Sequence, residues 1–498
     1  MPKFVRSVQP PLRFIPAAYN PWVMRAVHLA LPLLLRVRIR PWLPAGISHI
    51  EVKHVERLVD LYAQFEANQA RFLMAVRHVE VDDPLSGLYL CSRAVSKAAK
   101  AKGIKLRQPV HTHFIYERGM TIWAGRTLGW LLSRMGGTPI RRGRKPDWVG
   151  LKAARRLLTE GDMPMVVAPE GATNGHSERL GPLEPGVAQL GFWCAEDLQK
   201  SEQESDRAKT VFIAPIGIQY RYAKPNWTRL QRLLSRLEAQ SGLSNSKQNE
   251  RLIEKECQLR IQRLGEHLIE KMEQFYERVY PQLSGQPAHS AKQELAVDTE
   301  QDGSEQSGSE QSSAEPNNLK EQDCSQRLQQ LLDRALKVSE QFFNLPSRGT
   351  LVDRCRRIEE ASWNLIYRED LPPLDTLSPI DRGLADWAAQ TASLHELHMR
   401  IVESFVAADS RYLSEKPSFE RCAELSLLMS DMIGRLNGEK LPQRPRLGLR
   451  WVQVTVALPI EVTSRLTDYQ QSRKAGRQAV AALTEDIRLA LEKTIERK

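Results

Sequence analysis

Near its C-terminus the chain carries a β-patterned run, RWVQVTVALPI from Arg450 to Ile460, that follows a long stretch of helical patterning. A strand standing alone leaves a row of backbone N–H and C=O groups without partners, so this run requires a sheet built elsewhere in the chain. The β-patterned segments available to it lie far upstream, at Phe72–Val76, Val166–Ala168 and Val211–Ile218, and they alternate with helical stretches. Joining Val452–Leu458 to them predicts an α/β fold with a mixed sheet flanked by helices, interrupted by a large, mainly helical insertion.

The expected boundaries follow. An α/β unit spans 51–225, and its closing strand and helix lie in 448–498. Residues 226–447 form the insertion, marked by apolar positions at helical spacing such as Leu230, Leu233, Leu234 and Leu237. Within it, residues 283–325 are rich in Ser, Gln, Glu and Gly, include the imperfect repeat SEQSGSEQSS, and contain almost nothing that builds a core. That composition predicts a disordered acidic linker. Pro442 and Pro445 break the helical pattern before the final strand, and Thr467–Ile495 reads as one long helix. A chain of 498 residues exceeds what one core usually serves, which agrees with more than one structural unit.

Residues 1–50 have a separate character. Trp22–Ile39 is the most apolar stretch, but Arg25, His28, Pro32, Arg36 and Arg38 interrupt it, and it falls short of the roughly 18 uncharged residues of a spanning helix. With arginines at both ends and Trp42 beyond, it reads as an amphipathic segment at a membrane interface, and equally as a core helix that opens a domain. The basic flanks favour the membrane surface, cytoplasmic side. The formal charge of +11 favours polyanionic partners, anionic lipid among them. No nucleic-acid motif accompanies the dispersed basic residues, so nucleic acid is not an expected partner. The six cysteines are far apart with no C-x-x-C pair, as in a reducing compartment.

The strand RFLMAV runs into Arg77, His78, Val79, Glu80, Val81, Asp82, Asp83 and Pro84. A histidine just beyond a strand, with a carboxylate five residues later, can be held through one ring nitrogen while the other faces a substrate as a base. The plainer reading makes Asp83 a helix N-cap before Pro84 and His78 a surface residue. No G-x-S-x-G elbow and no G-x-x-x-x-G-K-[ST] loop is present, which removes the usual serine hydrolases and nucleotide hydrolases. His111 and His113 form an H-x-H pair with only Glu117 nearby, a poor zinc set, so a packed or surface role is expected and no metal is implied.

Further along, GGTPIRR (Gly136–Arg142), PEGAT (Pro169–Thr173) and IAPIGI around Pro215 follow His78 and Asp83 in order, and ALPIEV (Ala457–Val462) comes last. This ordered set resembles the glycerolipid acyltransferase family, of the 1-acylglycerol-3-phosphate acyltransferase type, whose H-x4-D motif His78 and Asp83 match. The resemblance covers about residues 50–225 and the last fifty. The sequence departs from the family at Arg77, where asparagine is common, at Pro139, where an aromatic is usual, and at Ala172, which displaces threonine to Thr173.

The resemblance implies a glycerol-3-phosphate acyltransferase-like fold and a reaction without a covalent acyl-enzyme and without a cofactor. His78 would be the catalytic base, oriented by Asp83. The acceptor site would use Arg142 on a phosphate, with Arg141 and Arg144 as neighbours, and Glu170 and Gly171 at the end of the strand MVVAP. The implied donor is acyl-CoA or acyl carrier protein, and the acceptor is a lysophospholipid at a membrane surface. The competing expectation is a non-catalytic lipid-binding scaffold that keeps this fold and uses the insertion for partners.

Overall fold

The computed structural model of the chain describes residues 7–37, 46–141, 147–171, 173–200, 208–243, 254–283, 316–406, 410–439 and 444–496. Eight strands form one sheet: β1 (Ile47–Lys53), β2 (Ala70–Val76), β3 (His113–Glu117), β4 (Gly137–Ile140), β5 (Met165–Val167), β6 (Thr210–Tyr222), β7 (Arg450–Val456) and β8 (Ile460–Glu461). The order across the sheet is β1-β7-β6-β2-β5-β3-β4, with β8 beside β6. Pairing is parallel except at β6, where β7 and β8 run antiparallel. The fold is thus mixed α/β.

The C-terminal strand obtains its partners from β1 on one side and β6 on the other. Pro215 explains how β6 continues past that edge. Ala457 N–H donates to Pro215 O at 2.9 Å, so the proline's missing N–H faces the same way. It falls in the gap between the Ile213 pairing with β8 and the Ile216 pairing with β7, where no ladder bond is lost.

Side chains alternate across the sheet and build two cores. Phe72, Met74, Ala214, Ile216 and Ile218 face one layer, with helices Pro21–Arg36 and Glu56–Glu66. Leu73, Ala75, Met165, Val211 and Ile213 face the other, with helices Trp148–Glu160, Gly186–Lys200 and Arg473–Glu492. The C-terminal helix is divided: Leu466–Gln470 ends, and Ser472 caps a new start by accepting the Ala475 N–H at 3.1 Å. The expected single helix over Thr467–Ile495 is corrected accordingly.

The middle of the chain has its own core, made by helices Trp227–Gln240, Glu254–Val279, Pro316–Phe342, Leu351–Ile366, Pro379–Val406 and Phe419–Leu436. The helix from Pro316 enters the tract expected to be linker, and residues 284–315 of that tract lie outside the described residues.

The N-terminal apolar helix buries one face, as a core helix does, and leaves apolar side chains exposed on the other. Asn20 Oδ1 caps it by accepting the Trp22 and Val23 N–H groups, and Met24, Leu31 and Leu35 are buried against the sheet. On the opposite face Trp22 is 72% exposed and Leu29 81%. Among the described residues no helix is long and apolar enough to cross a membrane.

Candidate active site

Strand β2 ends at Val76, where Arg77 N–H still donates to Ile216 O at 3.0 Å, and the chain then turns away from the sheet. His78 lies on this turn, and Asp83 is the first residue of the helix Asp83–Tyr89. The expected N-cap reading of Asp83 is corrected, because Asp82 occupies that position and makes no side-chain cap bond. The Asp83 carboxylate instead turns back over the loop. Its Oδ2 lies 2.9 Å from His78 Nδ1 and accepts the Glu80 N–H at 2.9 Å, while its Oδ1 accepts the Tyr220 hydroxyl at 2.6 Å. Burial and the charges of Asp82 and Asp83 hold the Tyr220 phenol well above its ordinary pKa, so it remains a donor.

Asp83 is buried and the His78 side chain is 28% exposed, with no protein partner for Nε2 among the described residues. That asymmetry fixes one ring nitrogen and leaves the other at the wall of a cavity. The cavity has a volume of about 2660 Å³ and is lined by both the sheet unit and the helical region. Small-molecule sites usually occupy roughly 300–1,000 Å³, so there is room here for two substrates. Met74, Leu88, Phe114, Leu132 and Met135 give one side of it an apolar surface.

Glu170 stands directly behind the histidine. Its Oε1 accepts the His78 N–H at 3.0 Å, and its Oε2 accepts Asn174 Nδ2 at 2.7 Å and the Gly181 N–H at 2.8 Å. Burial raises its pKa, opposed by Arg77 and by the Gly181 and His78 N–H groups. Both oxygens therefore serve protein donors, and the expected acceptor contact through Glu170 finds its carboxylate already engaged. Gly171 has φ +71°, and a Cβ there would stand 1.8 Å from Glu184 Oε1, which itself pairs with Arg356. Gly171→Ala should cost about 1–2 kcal/mol in urea unfolding, because the side chain opposes the left-handed backbone and displaces Glu184.

Arg141 donates to Asn364 Oδ1 at 2.6 Å, with Glu369 at 3.7 Å, so its guanidinium points at the helical region. Arg142 and Arg144 lie outside the described residues. His111 precedes β3 and His113 opens it, both as packed residues, with Nε2 and Nδ1 respectively directed at the carbonyls of Met135 (2.8 Å) and Gly136 (3.1 Å).

Burial lowers the His111 pKa to about 3. A folded-state value below the unfolded one means that His111 contributes stability above pH about 6.5, and that this is lost as pH falls from there towards 3. Unfolding free energy should decline over that window, and His111→Asn should reduce the slope by up to about 1.4 kcal/mol per pH unit.

The sequence did not point to Tyr220, Asn174 or the buried guanidinium of Arg77. Arg77 donates to the carbonyls of Ser177 (2.6 Å) and His176 (2.7 Å) and also to that of Arg179. Its place beside His78 was the available signal. Tyr220 could have been placed on a face by the alternation of β6, but nothing local says which face the histidine shares.

The family model described as Acyltransferase matches residues 103–219, which run from before β3 almost to the end of β6. His78 and Asp83 precede the matched stretch and are joined to it by Glu170 and Tyr220. No curated protein matches the chain, and no solved structure does. The matched segment shows that this chain carries an Acyltransferase domain, and a general acyl-transfer role goes with it.

Proposed function

We propose that the chain transfers a fatty acyl group from the thioester of acyl-CoA or acyl carrier protein to the hydroxyl of a lysophosphatidic acid or related glycerophospholipid. The observation that carries this reading is the 2.9 Å contact of His78 Nδ1 with a buried Asp83, which leaves Nε2 at the cavity wall. Nε2 takes the proton of the acceptor hydroxyl, the oxygen attacks the thioester carbonyl, and the tetrahedral intermediate expels the thiolate, which takes the proton back. Asp83 keeps the proton on Nδ1 and stabilises the imidazolium as it forms, while Tyr220 and Glu80 hold Asp83 still. The apolar side of the cavity suits an acyl chain. Arg142 and Arg141 remain the proposed cations for an acceptor phosphate. The exposed Trp22, Leu29 and Leu33, beside Arg25 and Arg36, support a peripheral position on a membrane, and the cytoplasmic side is the proposed one.

The test is transfer of labelled acyl groups from acyl-CoA and from acyl carrier protein to a panel of lysophospholipids and glycerol 3-phosphate. Product with a lysophospholipid is the expected result. A folded protein that binds lipid vesicles and yields no product with any pair would overturn the reading and leave a lipid-binding scaffold.

A further inference from the structure

The helix Phe419–Leu436 belongs to the helical region, yet it reaches the reactive turn at two points. The first is the segment Asn174–Arg179. Asn174 and Gly175 donate their N–H groups to the carbonyls of His78 (3.3 Å) and Val79 (3.0 Å), so this segment lies along the turn itself. From the helix, Glu424 Oε1 accepts the Ser177 N–H at 3.0 Å, and Glu424 Oε2 accepts the Tyr412 hydroxyl at 2.6 Å and lies 3.6 Å from His176 Nδ1. Arg421 pairs with Glu178 at 3.0 Å. A Cβ on Gly175 would stand 3.1 Å from Leu428 Cδ2, so the helix packs directly over the segment.

The second point lies on the other flank of the turn. Asp431 accepts from Arg444 Nε at 2.7 Å, and Arg444 Nη1 donates to Glu80 Oε2 at 3.0 Å. Glu80 is buried, and its N–H is one of the donors to Asp83. Glu424 and Asp431 are two helical turns apart, about 10.5 Å along one face, and between them they bracket the His78–Asp83 loop.

Hydrogen bonds of this kind, made among buried and charged groups, fix geometry more firmly than apolar contact does, because a displaced partner is left unsolvated. We propose that the helix Phe419–Leu436 is a positioning element of the acyl-transfer site, with Glu424 and Asp431 as its two anchors on the His78–Asp83 loop. The helical region is then part of the catalytic unit and not an appendage to it. This inference rests on the reading of His78 as the base.

The experiment compares Glu424→Gln with Glu340→Gln in the full chain. Glu340 is likewise a buried carboxylate of the helical region, bonded to Arg354 at 2.7 Å and with no hydrogen bond to the turn, so it reports the cost of disturbing a buried pair there. Glu424→Gln is expected to lower kcat by about 10–100-fold with KM within about two-fold, as displacement of a reactive group does. It should also move the acid limb of the kcat pH profile by at least about 0.5 unit, which a general loss of stability would not do. Glu340→Gln should leave both unchanged. A folded Glu424→Gln with wild-type kcat and profile overturns the inference, as does an equal loss in Glu340→Gln. Should Glu424→Gln fail to fold, Asp431→Asn carries the same expectation through Arg444 and Glu80. Inactive wild-type protein, or an active His78→Ala, would instead refute the reading of the base. Active wild type with inactive His78→Ala and unaffected anchors refutes this inference alone.

Discussion

His78→Ala is expected to fold as the wild type does and to lose acyl transfer by roughly 10²–10⁴-fold in kcat, the range that a positioned general base contributes. Little stability is at stake, because the His78 ring is partly exposed and its one protein bond is to Asp83. Truncation leaves Asp83 with the Glu80 N–H and the Tyr220 hydroxyl, so the carboxylate is still satisfied and the loop has two of its three ties. KM for the thioester should change by less than about three-fold, since in the proposed mechanism the imidazole acts on the proton of the acceptor and not on the carrier. Matched urea midpoints together with a lost kcat confirm the assignment. Retention of more than about a tenth of wild-type kcat would move the base elsewhere in the cavity.

The part of the site that could be read from the sequence is the part that is local. Phe72–Pro84 places a strand, a turn and a helix start within a single short run, and His78 and Asp83 meet because that run closes on itself. The need of the 450–460 run for sheet partners was equally legible, since backbone groups must be paired whatever the fold. Its place between β1 and β6 was not, because strand order is set by packing between segments hundreds of residues apart. Strands β1, β3 and β4 carry short, mixed patterns (ISHIEVK, HFIYE, GTPI) that a period of two does not separate from loop. Tyr220 lies 137 residues from Asp83 in the chain, and Glu424 247 residues from Ser177. Contacts of that range leave no mark in local periodicity. Glu170 shows the converse case: the motif pointed to a carboxylate at the end of β5, and only the fold shows that its oxygens accept from His78, Asn174 and Gly181.

Arg77, which the sequence presents only as a departure from asparagine, has the largest expected effect on stability. It is fully buried, one of the largest side chains so enclosed among the described residues, and its guanidinium spans from the Glu170 carboxylate at 4.0 Å to the carbonyls of the His176–Arg179 segment. Burial pulls its pKa below the ordinary guanidinium value, and the charges of Glu170, Glu424 and Asp83 pull it back, so the charge is held in place by the site around it. Arg77→Met keeps most of the volume but strands Glu170 without its buried counter-charge and leaves the His176 and Ser177 carbonyls without their guanidinium donor, while that of Arg179 keeps Asn174 Nδ2 at 2.8 Å. The expected loss is about 3–5 kcal/mol, the cost of removing one partner of a buried pair. Arg77→Lys should recover only part of it, since one ammonium cannot match a planar fork that serves several carbonyls at once. Urea unfolding reads both values. A loss in Arg77→Met below about 1 kcal/mol would mean that water or a rearranged loop satisfies the segment without the guanidinium. The same variant should lower kcat as well, because the segment that Arg77 holds from beneath donates to the His78 carbonyl, and Asn174 within it steadies Glu170 behind the histidine.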